Sequence, residues 1–185
     1  GNGVGGHFHN ENSIAVLRDI PGVIVACPAR PSEAAALWHA CVKLAYEQQR
    51  VVVFLEPIAL YHEHDLFVDG DRAWLAPYSA AHEVIPFGQC GVIGDGKAAA
   101  ILTYGPGVRL ALQAQHALQG DGIEVSVIDL RWLSPLCFDE IRAALQGHQR
   151  VVMVDVCRPS GSIAEGLAWR LVESGWSVQV LNAAE

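Results

Sequence analysis

The sequence predicts an α/β protein built on parallel strands, and three observations carry that prediction. Short, β-branched, continuously apolar runs recur along the 185 residues. Stretches with apolar residues at helical spacing follow most of them, and Gly- and Pro-rich turns stand between. A strand, a helix and a second strand in that order require a crossover, and crossovers join parallel neighbours.

The elements follow in order. Asn12-Ser13 is positioned to cap a short helix running to about Arg18, and Pro21-Gly22 closes it as a turn. Val23 to Cys27 is apolar throughout, the pattern of a strand covered on both faces, and Pro28 stops it. Leu37, Cys41 and Leu44 recur at helical spacing after Ser32-Glu33, predicting an amphipathic helix over about 33–48. Val51 to Leu55 reads as the next buried strand.

Periodicity then fades, and Gly70, Pro77, Pro86, Gly88, Gly91 and Gly94 punctuate a stretch read as a linker, with room for one or two short strands. The predicted organisation is a first unit over 1–65, a linker over 66–95 and a second unit over 96–185. The second unit restarts the rhythm with strands at Ala98–Thr103, Glu124–Leu130, Val151–Val154 and Val178–Leu181. Helices are marked by Val108, Leu110, Leu112 and Leu118, by Phe138, Ile141 and Leu145, and by Ile163, Leu167 and Leu171. Four strands and three helices in strict alternation describe a small doubly wound sheet. Its ligands would meet the carboxyl ends of the strands, at Tyr104-Gly105, Asp129-Leu130-Arg131 and Asp155.

Composition narrows the function. With 51% hydrophobic and 17% charged residues the chain has the makings of a packed core and not of a disordered tail. Twelve Lys and Arg against twenty Asp and Glu give a net charge of −8, which argues against a nucleic-acid partner. No apolar run approaches the roughly 20 residues that span a bilayer, so no membrane partner is expected. Five Cys without a CxxC pair fit a reducing cytoplasm. The N-terminus lacks a signal-peptide pattern and an initiating Met, and Gly1 to Gly6 reads as the middle of a loop, so the chain reads as a fragment. The apolar excess suggests a paired assembly.

Several residue groups are candidates for chemistry. His7, His9 and Glu11 alternate in a Gly-rich loop and would share a face in an extended chain, open to three readings: a zinc site, solvated loop histidines, or an acid–base role. His62 and His64 lie near a strand end. Gly3-Val4-Gly5-Gly6 lacks the Lys-Ser/Thr of a phosphate loop. Gly105-Pro106-Gly107 stands between strand and helix, where N–H groups can hold an anion, although a tight turn alone explains its glycines. Gly94-Asp95-Gly96 and Gly120-Asp121-Gly122 echo the start of a thiamine diphosphate–magnesium motif. The single downstream Asn, Asn182, lies beyond that motif's roughly thirty-residue span, so both read as turns. Glu56, at a strand end, reads as a local cap or an interdomain ion-pair partner.

One combination of motifs is specific. Gly5-Gly6-His7-Phe8-His9-Asn10, Ile20-Pro21-Gly22-Val23-Ile24-Val25 and Val51-Val52-Val53-Phe54-Leu55-Glu56 come first. Tyr104-Gly105, Val127-Ile128-Asp129-Leu130-Arg131-Trp132-Leu133-Ser134-Pro135-Leu136 and Val151-Val152-Met153-Val154-Asp155 follow. Together they resemble the beta subunit, or beta half of a fused chain, of the thiamine diphosphate-dependent decarboxylating component of 2-oxo acid dehydrogenase complexes, of the pyruvate and branched-chain type, in the transketolase-like superfamily.

The resemblance implies that residues 1–65 are the later part of a pyrimidine-binding domain and that 96–185 are most of a C-terminal domain. It implies oxidative decarboxylation of a 2-oxo acid with acyl transfer to lipoyl, and places His9 as the catalytic His of the cofactor channel. Asn10 and Glu11 replace the family's Ser and Gln. The implied cofactor is thiamine diphosphate with magnesium, bound with the alpha half, while the Glu that contacts the pyrimidine lies outside the chain. A monovalent cation near Leu44, Glu47 and Gln49 is also implied. The implied partners are the alpha subunit or alpha half and the lipoyl-bearing acyltransferase core, in a homo- or hetero-oligomer. These 185 residues alone are then expected to be inactive. The alternatives are a non-catalytic assembly module, or a transketolase or deoxyxylulose-phosphate synthase relative. Sugar phosphates want Arg and His at strand ends, where only Arg131 and Arg158 qualify.

Overall fold

The structure is a computed structural model that describes residues 14–78, 80 and 83–182. Its described elements run α1 (Ile14–Arg18), β1 (Ile24–Ala26), α2 (Pro31–Glu47), β2 (Val52–Phe54), a 3-10 turn (Ile58–Leu60), β3 (Gly91–Ile93), β4 (Ala100–Thr103), α3 (Pro106–Gly120), β5 (Ser126–Asp129), β6 (Trp132–Ser134), α4 (Phe138–Ala144), β7 (Arg150–Asp155), α5 (Ile163–Glu173) and β8 (Ser177–Asn182). They build a three-stranded sheet ordered β2-β1-β6 and a five-stranded sheet ordered β3-β5-β4-β7-β8.

β1 pairs parallel to β2, in register Ile24↔Val52 to Ala26↔Phe54, as the intervening helix requires. In the larger sheet β5, β4, β7 and β8 are parallel, the four strands read from the second unit, and β3 adds an antiparallel edge opposite β5. Helix α3 packs Val108, Ala111 and Leu112 on one face of that sheet, against Ile101 and Val127. Helices α4 and α5 pack Ile141, Leu145, Leu167 and Leu171 on the other, against Leu102, Ile128 and Met153. This is the doubly wound arrangement.

Two strands are less covered than their sequence suggests. Val51–Leu55 is half-buried at best, with Val51 64% exposed, because β2 is the last described strand of its sheet. In β7, Val151, Met153 and Asp155 are buried while Val152 and Val154, on the side that α3 packs against, are only partly so.

β6 has no counterpart among the sequence-predicted strands. Trp132, Leu133 and Ser134 are buried and run antiparallel to β1, so a strand from the second half of the chain completes the first sheet. β1 is consequently covered on both faces: Ile24 and Ala26 pack with Leu37 and Cys41 of α2, whereas Val25 and Cys27 enter the core of the larger sheet. The 66–95 stretch contributes β3 and also packs Leu66 and Trp74 beside α3. Arg109 fixes it there, with Nη2 2.9 Å from Glu63 and 2.7 Å from the Asp65 carbonyl, and Gln113 donates to the Leu66 carbonyl at 2.7 Å.

Candidate functional site: the carboxyl ends of the strands and the seam between sheets

The carboxyl ends of β1, β4, β5 and β7 converge on one region. At the end of β4, Gly105 turns the chain with φ of 50°, and Pro106 opens α3, where a missing N–H costs nothing. A side chain at Gly107 would run into Thr103, whose hydroxyl donates to the Val154 carbonyl at 2.7 Å. The turn and its close packing account for these glycines.

Beside them lies the switch point, where the chain leaves β4 for β5 on one side and returns to β7 on the other. Protein side chains fill this place. The Tyr104 hydroxyl donates to Asp155 Oδ1 at 2.7 Å, and the Ala164 N–H at the start of α5 donates to Asp155 Oδ2 at 2.9 Å. Both residues are buried, and burial together with the Asp155 charge pushes the Tyr104 phenol above its ordinary range. Ser162 caps α5 by accepting from Glu165 N at 3.2 Å.

The seam forms at Asp129-Leu130-Arg131. Arg131 has φ of 57°, an uncommon conformation for a residue with a side chain, and its carbonyl accepts from Cys27 N at 2.8 Å. Its guanidinium reaches Glu33 on α2, with Nη2 2.7 Å from Oε1 and Nε 3.2 Å from Oε2. A side chain at Gly91 would meet that guanidinium at 2.7 Å, so the glycine leaves Arg131 its space. Asp129 is buried at the end of β5. Its Oδ1 accepts from Arg131 N at 3.1 Å, while Oδ2 has no partner among the described residues. Burial pushes this carboxyl up to about 7, with Arg131 opposing and Glu33 adding to the shift. The thiols of Cys27 and Cys90 are pushed up to about 12, chiefly by burial, and so stay neutral.

A cavity of about 340 Å³ opens at the ends of β1 and β2, lined by Pro28, Arg30, Phe54, Glu56, Leu60 and Tyr61. Glu56 acts locally, accepting the Tyr61 hydroxyl across the 3-10 turn.

The structure sorts the other sequence candidates. His7, His9, Glu11 and the Gly3–Gly6 segment lie outside the described residues. His62 and His64 are exposed, and among the described residues no group of His, Cys, Asp and Glu is arranged to hold a metal. Asp95 is exposed in the irregular connection between β3 and β4, where Gly96 lies too close to the Glu124–Val125 backbone for a side chain, and Asp121 is exposed in the turn after α3, where Gly122 has φ of 76°. Arg131 is committed to Glu33, and Arg158 is exposed with Nε donating to the Ser160 carbonyl at 3.1 Å. At the end of α2 the Leu44 carbonyl already accepts from Gln48 N and Arg50 N, and Gln49, with φ of 52°, donates from its side chain to the Tyr46 carbonyl. Sequence reasoning placed Asp129, Arg131 and Asp155 at strand ends but not Glu33, whose pairing with Arg131 has no local signal.

Comparison with known proteins agrees with this geometry. The chain is 30% identical to the acetoin:2,6-dichlorophenolindophenol oxidoreductase subunit beta of Cupriavidus necator, over 91% of this chain and 45% of that one. It is 30% identical to the 2-oxoisovalerate dehydrogenase subunit beta of Bacillus subtilis, over 91% and 47% of the two chains. The mitochondrial pyruvate dehydrogenase E1 component subunit beta of Caenorhabditis elegans is also 30% identical, over 90% and 44%. The chain thus spans less than half the length of these curated relatives. Among solved structures, a split gene transketolase described as an inactive beta4 tetramer superposes with a TM-score of 0.68 at 21% identity, over 92% of this chain and 51% of that one, a likeness of fold. Residues 88–184, which hold the whole five-stranded sheet with its Tyr104–Asp155 and Asp129–Arg131 corners, match the family described as transketolase, C-terminal domain. With more than half of its residues inside that match, the chain belongs to the transketolase C-terminal domain family.

Proposed function

We propose that this chain is the beta part of a thiamine diphosphate-dependent 2-oxo acid dehydrogenase, which decarboxylates a 2-oxo acid and passes the acyl group to lipoyl. The observation that carries this reading is the extent of the similarity to the beta subunits of pyruvate and 2-oxoisovalerate dehydrogenases. It runs through both sheets and the seam between them, and is not confined to the C-terminal domain. In this reading His9 faces the cofactor channel as proton donor or binder during acyl transfer. The partners are an alpha subunit or alpha half and a lipoyl-bearing acyltransferase core, and the setting is the cytoplasm.

When bound, thiamine diphosphate would supply the carbanion chemistry that decarboxylation of a 2-oxo acid needs. In this reading the diphosphate and magnesium end of the cofactor is held by the alpha half; among the described residues no group of His, Cys, Asp and Glu is arranged to hold a metal. The described residues act instead as framework, holding two sheets in fixed relation through Glu33 and Arg131.

The similarity to an acetoin oxidoreductase beta subunit favours a second reading that differs in substrate, with acetoin replacing the 2-oxo acid. One experiment separates the readings. The full-length protein, co-expressed with its alpha partner, is assayed with an artificial electron acceptor on pyruvate, 2-oxoisovalerate and acetoin, with and without thiamine diphosphate. Cofactor-dependent turnover of an oxo acid, and loss of acyl transfer to lipoyl in His9→Ala, is the expected result. Turnover of acetoin alone supports the second reading, and no turnover of any of the three overturns both.

A further inference from the structure

We propose that the Asp129 carboxyl is a proton-operated latch on the seam between the two sheets. When neutral it leaves the Arg131 guanidinium to Glu33; when ionised it competes for that guanidinium and loosens the pairing of β6 with β1.

The corner is built so that one charge reaches both sheets. Asp129 ends β5 of the larger sheet, Trp132 begins β6 of the smaller one, and only Leu130 and Arg131 stand between them. Arg131 holds a left-handed conformation, its N–H on Asp129 Oδ1, its carbonyl on Cys27 N and its side chain on Glu33. A change at Asp129 therefore bears on backbone and side chain of the residue that joins the sheets.

The second part of the argument is the orphaned oxygen. Asp129 is 1% exposed, and its Oδ2 finds no partner among the described residues. A neutral carboxyl tolerates such a place far better than a carboxylate does. The charged groups facing it are Arg131 from the turn, Glu33 from α2 and Arg30 just before α2. The thiols that feel its charge, Cys27 after β1 and Cys90 before β3, are neutral. The fork of Arg131 is already closed on Glu33, so an ionised Asp129 meets a cation whose best geometry is taken. Burial opposes that ionisation until near neutrality, which brings the competition into an accessible pH range.

Amide exchange on the full-length protein tests the latch, read at Cys27, whose N–H donates to the Arg131 carbonyl across the seam, and corrected for the chemical rate at each pH. Protection at this amide is expected to fall about tenfold or more between about pH 5.5 and about pH 8.5, while amides of Ile101 and Val152 keep theirs. Asp129→Asn is expected to remove the slope. A flat profile in the unmodified protein, or an Asp129→Asn slope equal to it, overturns the proposal. Should that variant not fold, the carboxyl carbon of Asp129 is followed by NMR in the unmodified protein. A midpoint near neutrality supports the latch, and one below about 5 overturns it.

Discussion

Arg131 closes its guanidinium on both carboxylate oxygens of Glu33, 98 residues earlier in the chain, and so ties the helix of the first sheet to the corner of the second. With side chains 10% and 21% exposed, neither partner is well served by water if the other is removed. Glu33→Ala is expected to cost about 3 kcal/mol, the lower part of the range for breaking a largely buried pair. Arg131→Lys keeps the charge but loses the fork and is expected to cost less. Urea denaturation of the three proteins measures both.

The Tyr104–Asp155 bond gives a second prediction. Tyr104→Phe leaves Asp155 Oδ1 without its hydroxyl donor while its Oδ2 keeps the Ala164 N–H. The expected loss is about 1–3 kcal/mol, read as a lower denaturation midpoint with an unchanged slope.

The pH dependence of stability carries a sign set by Asp129. Its folded pKa of about 7 lies above the ordinary value of 3.8, so the folded state binds the proton more tightly. The stability this contributes is fully present below the ordinary value and is lost as pH rises through about 7. Asp129→Asn is therefore expected to flatten the descending part of the stability profile, measured by denaturant titration at a series of pH values.

Asp71 acts in the opposite direction. Backbone N–H groups of Ala73, Val68, Leu66 and Phe67 point at its carboxylate and hold it well below the usual range, closing the loop that packs Leu66 beside α3. Its contribution is present above the ordinary pKa and lost as pH falls below it. Asp71→Ala is expected to open this loop to proteolysis, with limited digestion cutting between 66 and 74 faster than in the unmodified protein.

A further prediction concerns activity. The proposed function puts the diphosphate end of the cofactor on the alpha half. The 185-residue chain alone is expected to show no thiamine diphosphate-dependent decarboxylation of pyruvate or 2-oxoisovalerate, and carbon dioxide release from either would contradict it.

Much of the fold was legible because burial and period coincide. Val23–Cys27 is apolar at every position, and β1 is covered on both faces. The four parallel strands of the larger sheet and the helices between them appear at their predicted places. β6 was hidden because Trp132-Leu133-Ser134 continues the apolar run of β5, and the break between them is a left-handed Arg131, a conformation that no local preference of arginine announces. β3 falls in the stretch read as a linker with room for one or two short strands; its place there was blurred by glycines, one of which, Gly91, is kept small by a guanidinium forty positions away. Glu33 looked like an ordinary first-turn acid of a helix, because its partner is set by the tertiary fold alone.

The antiparallel joining of β6 to β1 also has a meaning for the order of synthesis. Val25 pairs with Ser134, so β1 leaves the ribosome about a hundred residues before its second neighbour exists. At about 5–20 residues per second, the apolar side carrying Val25 and Cys27 waits several seconds without the strand and core that will cover it. During that interval the nascent segment carrying β1 exposes an apolar face that a chaperone can bind, and a slower passage through the codons for 60–130 would lengthen its exposure.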